Sequence, residues 1–171
     1  MGVNNEVDHI FRGKIKNYEE QLIDFFVDIG ESKRQTRTIS IISGYLMIHG
    51  RLTQEQLKEL TGFSLASISI NLNALISLGL VDKQLIKGTH KFIYAFTEDY
   101  LQIVEAKSIM TLDVVESLSK FIEQINKDLE NRKNEDGYEL FSIRLQELLD
   151  FLNQIKKLAL MIKEFKIKES I

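Results

Sequence analysis

A chain of 171 residues is long enough for one good core, or for a compact domain plus the helices that pair it with a partner; two independent domains would be crowded. With 44% apolar and 27% charged residues it has the composition of a folded globular protein. The absence of cysteine excludes a disulfide framework, thiol chemistry and thiolate-bound zinc, and three scattered histidines are a poor basis for an imidazole site. A net charge of −3 speaks against a nonspecific polyelectrolyte binder, but its distribution is uneven. Between Glu31 and Ala95 eight basic residues stand against four acidic ones, a balance of +4 that leaves −7 for the remainder. A basic module flanked by acidic helices is the pattern of a chain in which one part meets phosphate and the rest meets protein or solvent.

Met1 to Lys16 is polar, and no later run approaches the roughly 18 consecutive apolar residues of a membrane span, so neither export signal nor anchor is expected and a reducing cytoplasm fits. His9 falls in this N-terminal stretch. Between Ile15 and Ile29 the spacing of Ile15, Leu22, Ile23, Phe25, Phe26 and Ile29 predicts an amphipathic helix. A basic joint, Ser32 to Arg37, contains Arg34 and Arg37. Thr38 to His49 reads as a second helix burying Ile41, Ile42, Tyr45, Leu46 and Ile48 and stopping at Gly50. His49 is expected as a cap or a partly buried residue rather than a metal ligand. Thr53-Gln54-Glu55-Gln56 is a capping-box pattern that starts a short helix carrying Leu57 and Leu60.

Thr61-Gly62-Phe63-Ser64 then supplies a tight turn and a new cap, the joint of a helix-turn-helix. From Leu65 to Leu78, Leu65, Ile68, Leu72, Leu75 and Ile76 share one face; Ala66, Ser67, Ile70, Asn73, Ala74 and Ser77 lie opposite, a face of small and polar groups without a single charge. Ordinary surface helices carry Lys and Glu, so such a face is suited to entering a groove. Val81 to Ile86 and Lys91 to Phe96 predict a β-hairpin around Lys87-Gly88-Thr89-His90, with a basic tip, and Arg51-Leu52 is placed to add a third short strand. Asp82 beside Lys83 reads as an ion-pair partner. Helix, short helix, turn, helix and basic hairpin, in that order, are the parts of a winged helix-turn-helix.

The runs Gly44-Tyr45-Leu46-Met47-Ile48, Leu52 to Leu57, Thr61 to Ser69 and Leu78-Gly79-Leu80-Val81 together resemble the GbsR-type branch of the MarR-like winged helix-turn-helix regulators, over about residues 36–96. The resemblance implies a homodimer that binds a pseudo-palindromic operator in double-stranded DNA, as a repressor, with a possible small-molecule effector. It puts the DNA-reading positions on Ser64, Ala66, Ser67, Ser69, Ile70 and Asn73 and the wing on Lys87 to Lys91, including Thr89 and His90; Arg34, Arg37 and Arg51 are available for phosphates. Many relatives carry Arg or Lys in the recognition helix, where this chain has Leu65, Ile70 and Ala74. Exposed Ile70 either touches a thymine methyl or meets a protein.

Beyond Phe96 a helix starting at Thr97-Glu98-Asp99 is expected to run on through Val114, Leu118, Phe121, Ile125 and Leu129, followed by a polar break from Asn131 to Gly137. A second helix carries Phe141, Leu145, Leu148, Leu152, Ile155, Ala159 and Ile162. These two apolar ridges are longer than a small winged domain needs, and we assign them to a dimer interface; a self-burying helical hairpin is the alternative. Phe25, Phe26, Phe121 and Phe141 read as core, with an effector cavity as the less favoured role. The expected fold class is mainly α with a small β-hairpin: an N-terminal helix at 1–31 packing on the dimerisation region, a winged helix-turn-helix domain at 32–97 and a helical dimerisation region at 98–171. No paired-carboxylate motif, phosphate loop, HExxH pattern or nucleophile elbow is present, so no enzyme, cofactor or metal is expected. A winged-helix module that binds protein within a transcription or chromosome-maintenance assembly is the alternative function.

Overall fold

A computed structural model describes residues 10–105 and 111–168, so His9 lies outside the described residues. The chain is mainly helical around a small three-stranded antiparallel sheet: α1 (Gly13–Ser32), α2 (Arg37–His49), β1 (Arg51–Thr53), α3 (Gln54–Thr61), α4 (Leu65–Ser77), β2 (Val81–Leu85), β3 (Phe92–Phe96), α5 (Tyr100–Glu105), α6 (Leu112–Leu129) and α7 (Tyr138–Lys168). Strand order is β1-β3-β2, so the hairpin and the short strand before α3 form one sheet with Leu52 opposite Tyr94 and Lys83 opposite the same residue on the other side. This is a winged helix-turn-helix set on a layer of long helices. Among the described residues no single helix is long and apolar enough to cross a membrane.

The caps foreseen from the sequence are in place. The side chain of Thr53 accepts from the amide of Gln56 at 3.2 Å while Gln56 Oε1 accepts from the amide of Thr53 at 2.8 Å, satisfying two orphan donors at once. Gly62, at φ +72°, ends α3 in the left-handed region that lets the chain turn sharply. Helix α1 is shared between the two parts. On one side it approaches α2 so closely that a Cβ on Gly44 would lie 2.9 Å from Ile23 and 3.1 Å from Phe26. On the other, Phe25 stacks on Phe121 of α6 at 5.2 Å, and the Tyr18 hydroxyl donates to Asp128. The N-terminal helix thus packs on the winged part as well as on the C-terminal helices, and a single core cluster runs through all of them.

Two expectations change. The helix begun at Asp99 does not continue to Leu129: α5 ends at Glu105 and α6 starts afresh at Leu112 with Asp113 in its first turn. The reason is packing. Tyr100 of α5 meets α7 at Phe151, 5.7 Å between rings, whereas α6 runs back along α7 with Glu116 3.0 Å from Lys156, and one straight rod cannot do both. The second change concerns the ridges assigned to a partner. Val114, Leu118, Ile125, Phe141, Leu145, Leu148, Leu152 and Ile155 are buried inside the single chain, Phe121 is half-buried against Phe25, and Ile162 is half-buried. The self-burying hairpin is what forms, because α6 and α7 present their ridges to each other and to α1. Leu145→Ala should therefore cost the isolated chain about 2–5 kcal/mol, while Ile143→Ala, on the exposed side of α7, should stay within about 0.5 kcal/mol in urea unfolding.

Candidate nucleic-acid interface

Helices α3 and α4 are bent by 115° to one another at the Gly62 turn, the angle of a helix-turn-helix pair. The Ser64 hydroxyl caps α4 by accepting from the amide of Ser67 at 3.2 Å. Ile68, Leu72 and Leu75 fix the inner face in the core. Ser64, Ala66, Ile70 and Asn73 are exposed on the outer face, and Ser67 and Ser69 are half-buried at its edge. Ile70 stands out at 70% exposure, as expected from its position opposite the buried stripe. Leu65, read from the sequence as part of that stripe, is exposed instead, because a first-turn side chain has no preceding helical turn to cover. Two polar groups of α4 hold the helix rather than project from it: Asn71 Nδ2 donates to the Ser67 carbonyl and Ser77 Oγ to the Asn73 carbonyl, both at 2.8 Å. That leaves Asn73 as the exposed amide near the middle of an uncharged helix face.

The wing tip is closed by Ile86, whose amide donates to the Lys91 carbonyl at 2.9 Å, and Gly88 turns it at φ +81°. Lys87, Thr89, His90 and Lys91 are all exposed there. The Thr89 hydroxyl is engaged within the tip, donating to the Ile86 carbonyl at 2.9 Å. The core-facing side of the sheet continues outward past the core as Phe92 and Leu85, with the Lys83 ammonium 4.8 Å from the Phe92 ring centre. Lys83 thus pairs with an aromatic face rather than with Asp82, which lies on the opposite face of the strand and shares its β3 neighbour, Ala95, with Arg51.

The wing is tied to α3 by contacts that the sequence did not announce. Gln54 Nε2 donates to the Tyr94 hydroxyl at 3.0 Å, and Lys91 lies 3.8 Å from Glu55. Their partners are some 40 residues away along the chain, so no local pattern could have marked them. The three arginines do not form one patch. Arg34 and Arg37 sit at the start of α2 and Arg51 just past its end, a separation of about 20 Å along a 13-residue helix. Arg37 is 3.9 Å from Glu31, and Arg34 occupies the left-handed region at φ +61°, a position glycine usually fills after a helix. Among the described residues no group of three His, Cys, Asp or Glu side chains is placed to hold a metal ion.

Where α1 meets the end of α2 lies a buried polar cluster. Glu19 is fully enclosed, with His49 Nε2 2.5 Å from one carboxylate oxygen and the Lys16 ammonium on the other. Burial acts to lower the Lys16 pKa, but the bond and charge of Glu19 outweigh it and hold the ammonium above its usual range. Phe11 stacks on the His49 ring at 5.4 Å. His49 is more deeply buried than expected, and its partner comes from α1.

Between the two parts, Leu46, Met47 and Gly50 on the winged side face Leu148 and Phe151 of α7 across a cavity of about 250 Å³, whose rim includes Phe96, Tyr100, Glu98 and Glu147. The phenylalanines considered for an effector cavity are elsewhere: Phe26 and Phe141 are core, and Phe25 stacks on Phe121.

No family model matches the chain. It is 24% identical over 162 residues to the HTH-type transcriptional repressor OpcR of Bacillus subtilis (strain 168), an alignment that covers 91% of this chain and 88% of that protein. Among solved structures, one described as a transcriptional regulator aligns with a TM-score of 0.46 at 19% identity, over 91% of this chain and 99% of the other. The apo form of wild-type MarR from E. coli aligns at 0.39 and 13%, over 72% and 98%. Along most of its length, then, the chain is similar in sequence to a protein named as a helix-turn-helix transcriptional repressor.

Proposed function

We propose that this chain is a sequence-specific, double-stranded DNA-binding transcriptional repressor of the GbsR-type branch of MarR-like regulators, acting in the cytoplasm as a homodimer on a pseudo-palindromic operator. One observation carries the reading: α4 stands out from a winged helix-turn-helix with an exposed face that bears no charge, while basic residues flank it on the wing and at the joints. Phosphate attraction and base reading are thereby separated. In this reading Ile70 meets a thymine methyl and Asn73 reads an adenine edge, whereas Lys87 and Lys91 reach the backbone beside the groove. The similarity to OpcR supports the repressor role. No catalytic constellation is part of this reading.

An effector, in this proposal, occupies the cavity bounded by Leu46, Met47, Leu148 and Phe151. A ligand there touches both the end of α2 and the middle of α7, so a preference for one arrangement of the two would shift the spacing of the recognition helices and with it operator affinity.

Anisotropy titration against operator and scrambled duplex at several salt concentrations separates the roles. Asn73→Ala should cost about 1–3 kcal/mol on the operator, far less on random DNA, and leave the salt slope unchanged. Replacing Lys87 and Lys91 with Ala should weaken binding to every sequence and flatten the log–log salt slope by roughly 0.9 for each phosphate that is no longer neutralised. If α4 variants leave operator preference intact and the wild type shows no salt-dependent DNA binding, the exposed face around Ile70 serves a protein partner instead. A further outcome follows from the contact between Glu55 and Lys91. Glu55→Gln should free that ammonium and strengthen binding to random duplex about two- to fivefold, an effect that disappears in the Lys91→Ala background when read by the same titration.

A further inference from the structure

The exit of α4 is clasped by the segment that leaves β3. Gly79, at φ +68°, ends the helix in the left-handed region, and the chain folds back so that the amides of Gly79 and Leu80 donate to the carbonyls of Ile76 and Leu75 at 2.8 and 3.0 Å. Leu80 is buried, and its carbonyl accepts from the amide of Thr97 at 3.0 Å. Thr97 is itself buried just after β3. Its hydroxyl accepts from the amide of Asp99 at 3.2 Å, and the Asp99 carboxylate accepts from the amide of Gln102 at 3.1 Å, which sets the course of α5. That course lays the Gln102 side chain on the α-carbon of Gly79: a Cβ there would stand 1.7 Å from Gln102 Nε2 and 2.5 Å from its Cδ. Contact at a bare α-carbon puts no flexible side chain between α5 and the backbone of the recognition helix.

The other side of α5 faces the cavity. Positions 100 and 102 are about 200° apart around a helix. Tyr100 lines the cavity beside Phe96 and Thr97, with its ring 5.7 Å from that of Phe151 on α7, and Phe96 meets the same ring at 6.3 Å. Ile103, buried, fixes the short helix between the two contacts. We propose that α5 couples the cavity to α4, and that Gln102 is the positioning residue through which it acts. The proposal rests on the DNA-binding and effector readings above and names the contact that carries one to the other. A displacement of Tyr100 or Thr97 relative to Phe151 turns α5 and shifts Gln102 against Gly79; α4, held at its start by the Gly62 turn, then pivots at its far end. Coupling between two sites is reciprocal, so DNA held by α4 alters the cavity just as a cavity ligand alters α4. The contact can therefore be tested with DNA alone.

The chain has no tryptophan, so Phe151→Trp places a single fluorescent reporter in the cavity wall, where there is room for the larger ring. The DNA is a duplex recovered by the wild-type protein from a randomised pool, saturation is followed by anisotropy, and each variant is first shown to melt like its parent. Bound duplex should shift the tryptophan emission. Gln102→Ala should remove most of that shift in the reporter chain. In the otherwise wild-type chain it should lower affinity for the recovered duplex about three- to tenfold, with affinity for scrambled duplex and the salt slope unchanged. Gln102→Met, which restores a side chain of similar length over Gly79, should bring the shift back, and Leu101→Ala, at an exposed position of the same helix, should leave it intact. An emission that stays still at saturation overturns the coupling. A shift that survives Gln102→Ala, that Gln102→Met fails to restore or that Leu101→Ala also removes overturns the role of Gln102; in all of these DNA binding itself stands. A wild type with no salt-dependent binding to any duplex overturns the DNA-binding reading, and the coupling with it.

Discussion

The carboxylate of Glu19 sits where no water reaches it, and the arrangement of the molecule around it follows from that cost. A buried charge is tolerated only with partners of good geometry, and here they come from two places: Lys16, one turn earlier on α1, and His49, the last residue of α2. Tyr45, one turn before His49, lies 3.4 Å from the Lys16 ammonium. The cluster therefore admits one register of α1 against α2, the register in which Gly44 offers no side chain to Ile23 and Phe26. His49 is followed at once by Gly50 and β1, so fixing His49 against α1 also fixes where the sheet begins. Since α1 packs on α6 through Phe25 and Tyr18 as well, the cluster joins the part that presents α4 to the long helices by packed side chains rather than by a linker.

On the outer surface charge is arranged differently. Two basic side chains around the helix-turn-helix have nearby carboxylates, Lys91 with Glu55 and Arg37 with Glu31, at 3.8 and 3.9 Å with both members exposed. Pairs of that kind are worth between nothing and about 1 kcal/mol, so exchanging a glutamate for a phosphate costs little. They partly screen those two cations in the free protein, and they make the electrostatic part of any nucleic-acid contact sensitive to salt. Helix α4 has no ionic pair to exchange. Whatever its outer face contributes comes from apolar contact and neutral hydrogen bonds, which salt leaves almost untouched.

Much of this was legible in the residues because it depends on local chemistry. The capping box at Thr53, the left-handed glycine at position 62, the serine cap at position 64 and the glycine at the wing tip each specify a backbone conformation by themselves, and together they gave the order of a winged helix-turn-helix. The uncharged outer face of α4 was equally plain, since helical period alone assigns it. Three things were not legible. Whether a long apolar ridge meets its own chain or another one is not encoded in its spacing, and α6 and α7 proved to satisfy each other. The break between α5 and α6 is set by where α7 lies. The ties of Gln54 to Tyr94, Glu55 to Lys91 and Glu19 to His49 join residues 30 to 40 positions apart, and nothing in either neighbourhood names its partner.

That the ridge is internal changes what association would have to accomplish. A protomer that buries Leu145, Leu152 and Phe141 in its own core does not divide that core with a partner, as obligate dimers do. In the proposed homodimer, association would then fall to other, exposed surfaces. In the proposed regulation α7 matters because its 31 residues join two separate points: Phe151 lines the cavity against α2, and Phe165, fourteen positions further on, is exposed near the helix end. A helix of that length transmits a displacement at one point to the other, about 20 Å away, as long as it stays straight. A ligand wedged beside Phe151 would tilt α7 relative to α2, and α2 is locked through His49 to the sheet beside α4. That small movement would alter the direction in which α4 faces. Two half-sites one turn apart require recognition helices about 34 Å apart, and in the proposed homodimer a small molecule in the cavity would move that spacing without touching either reading face.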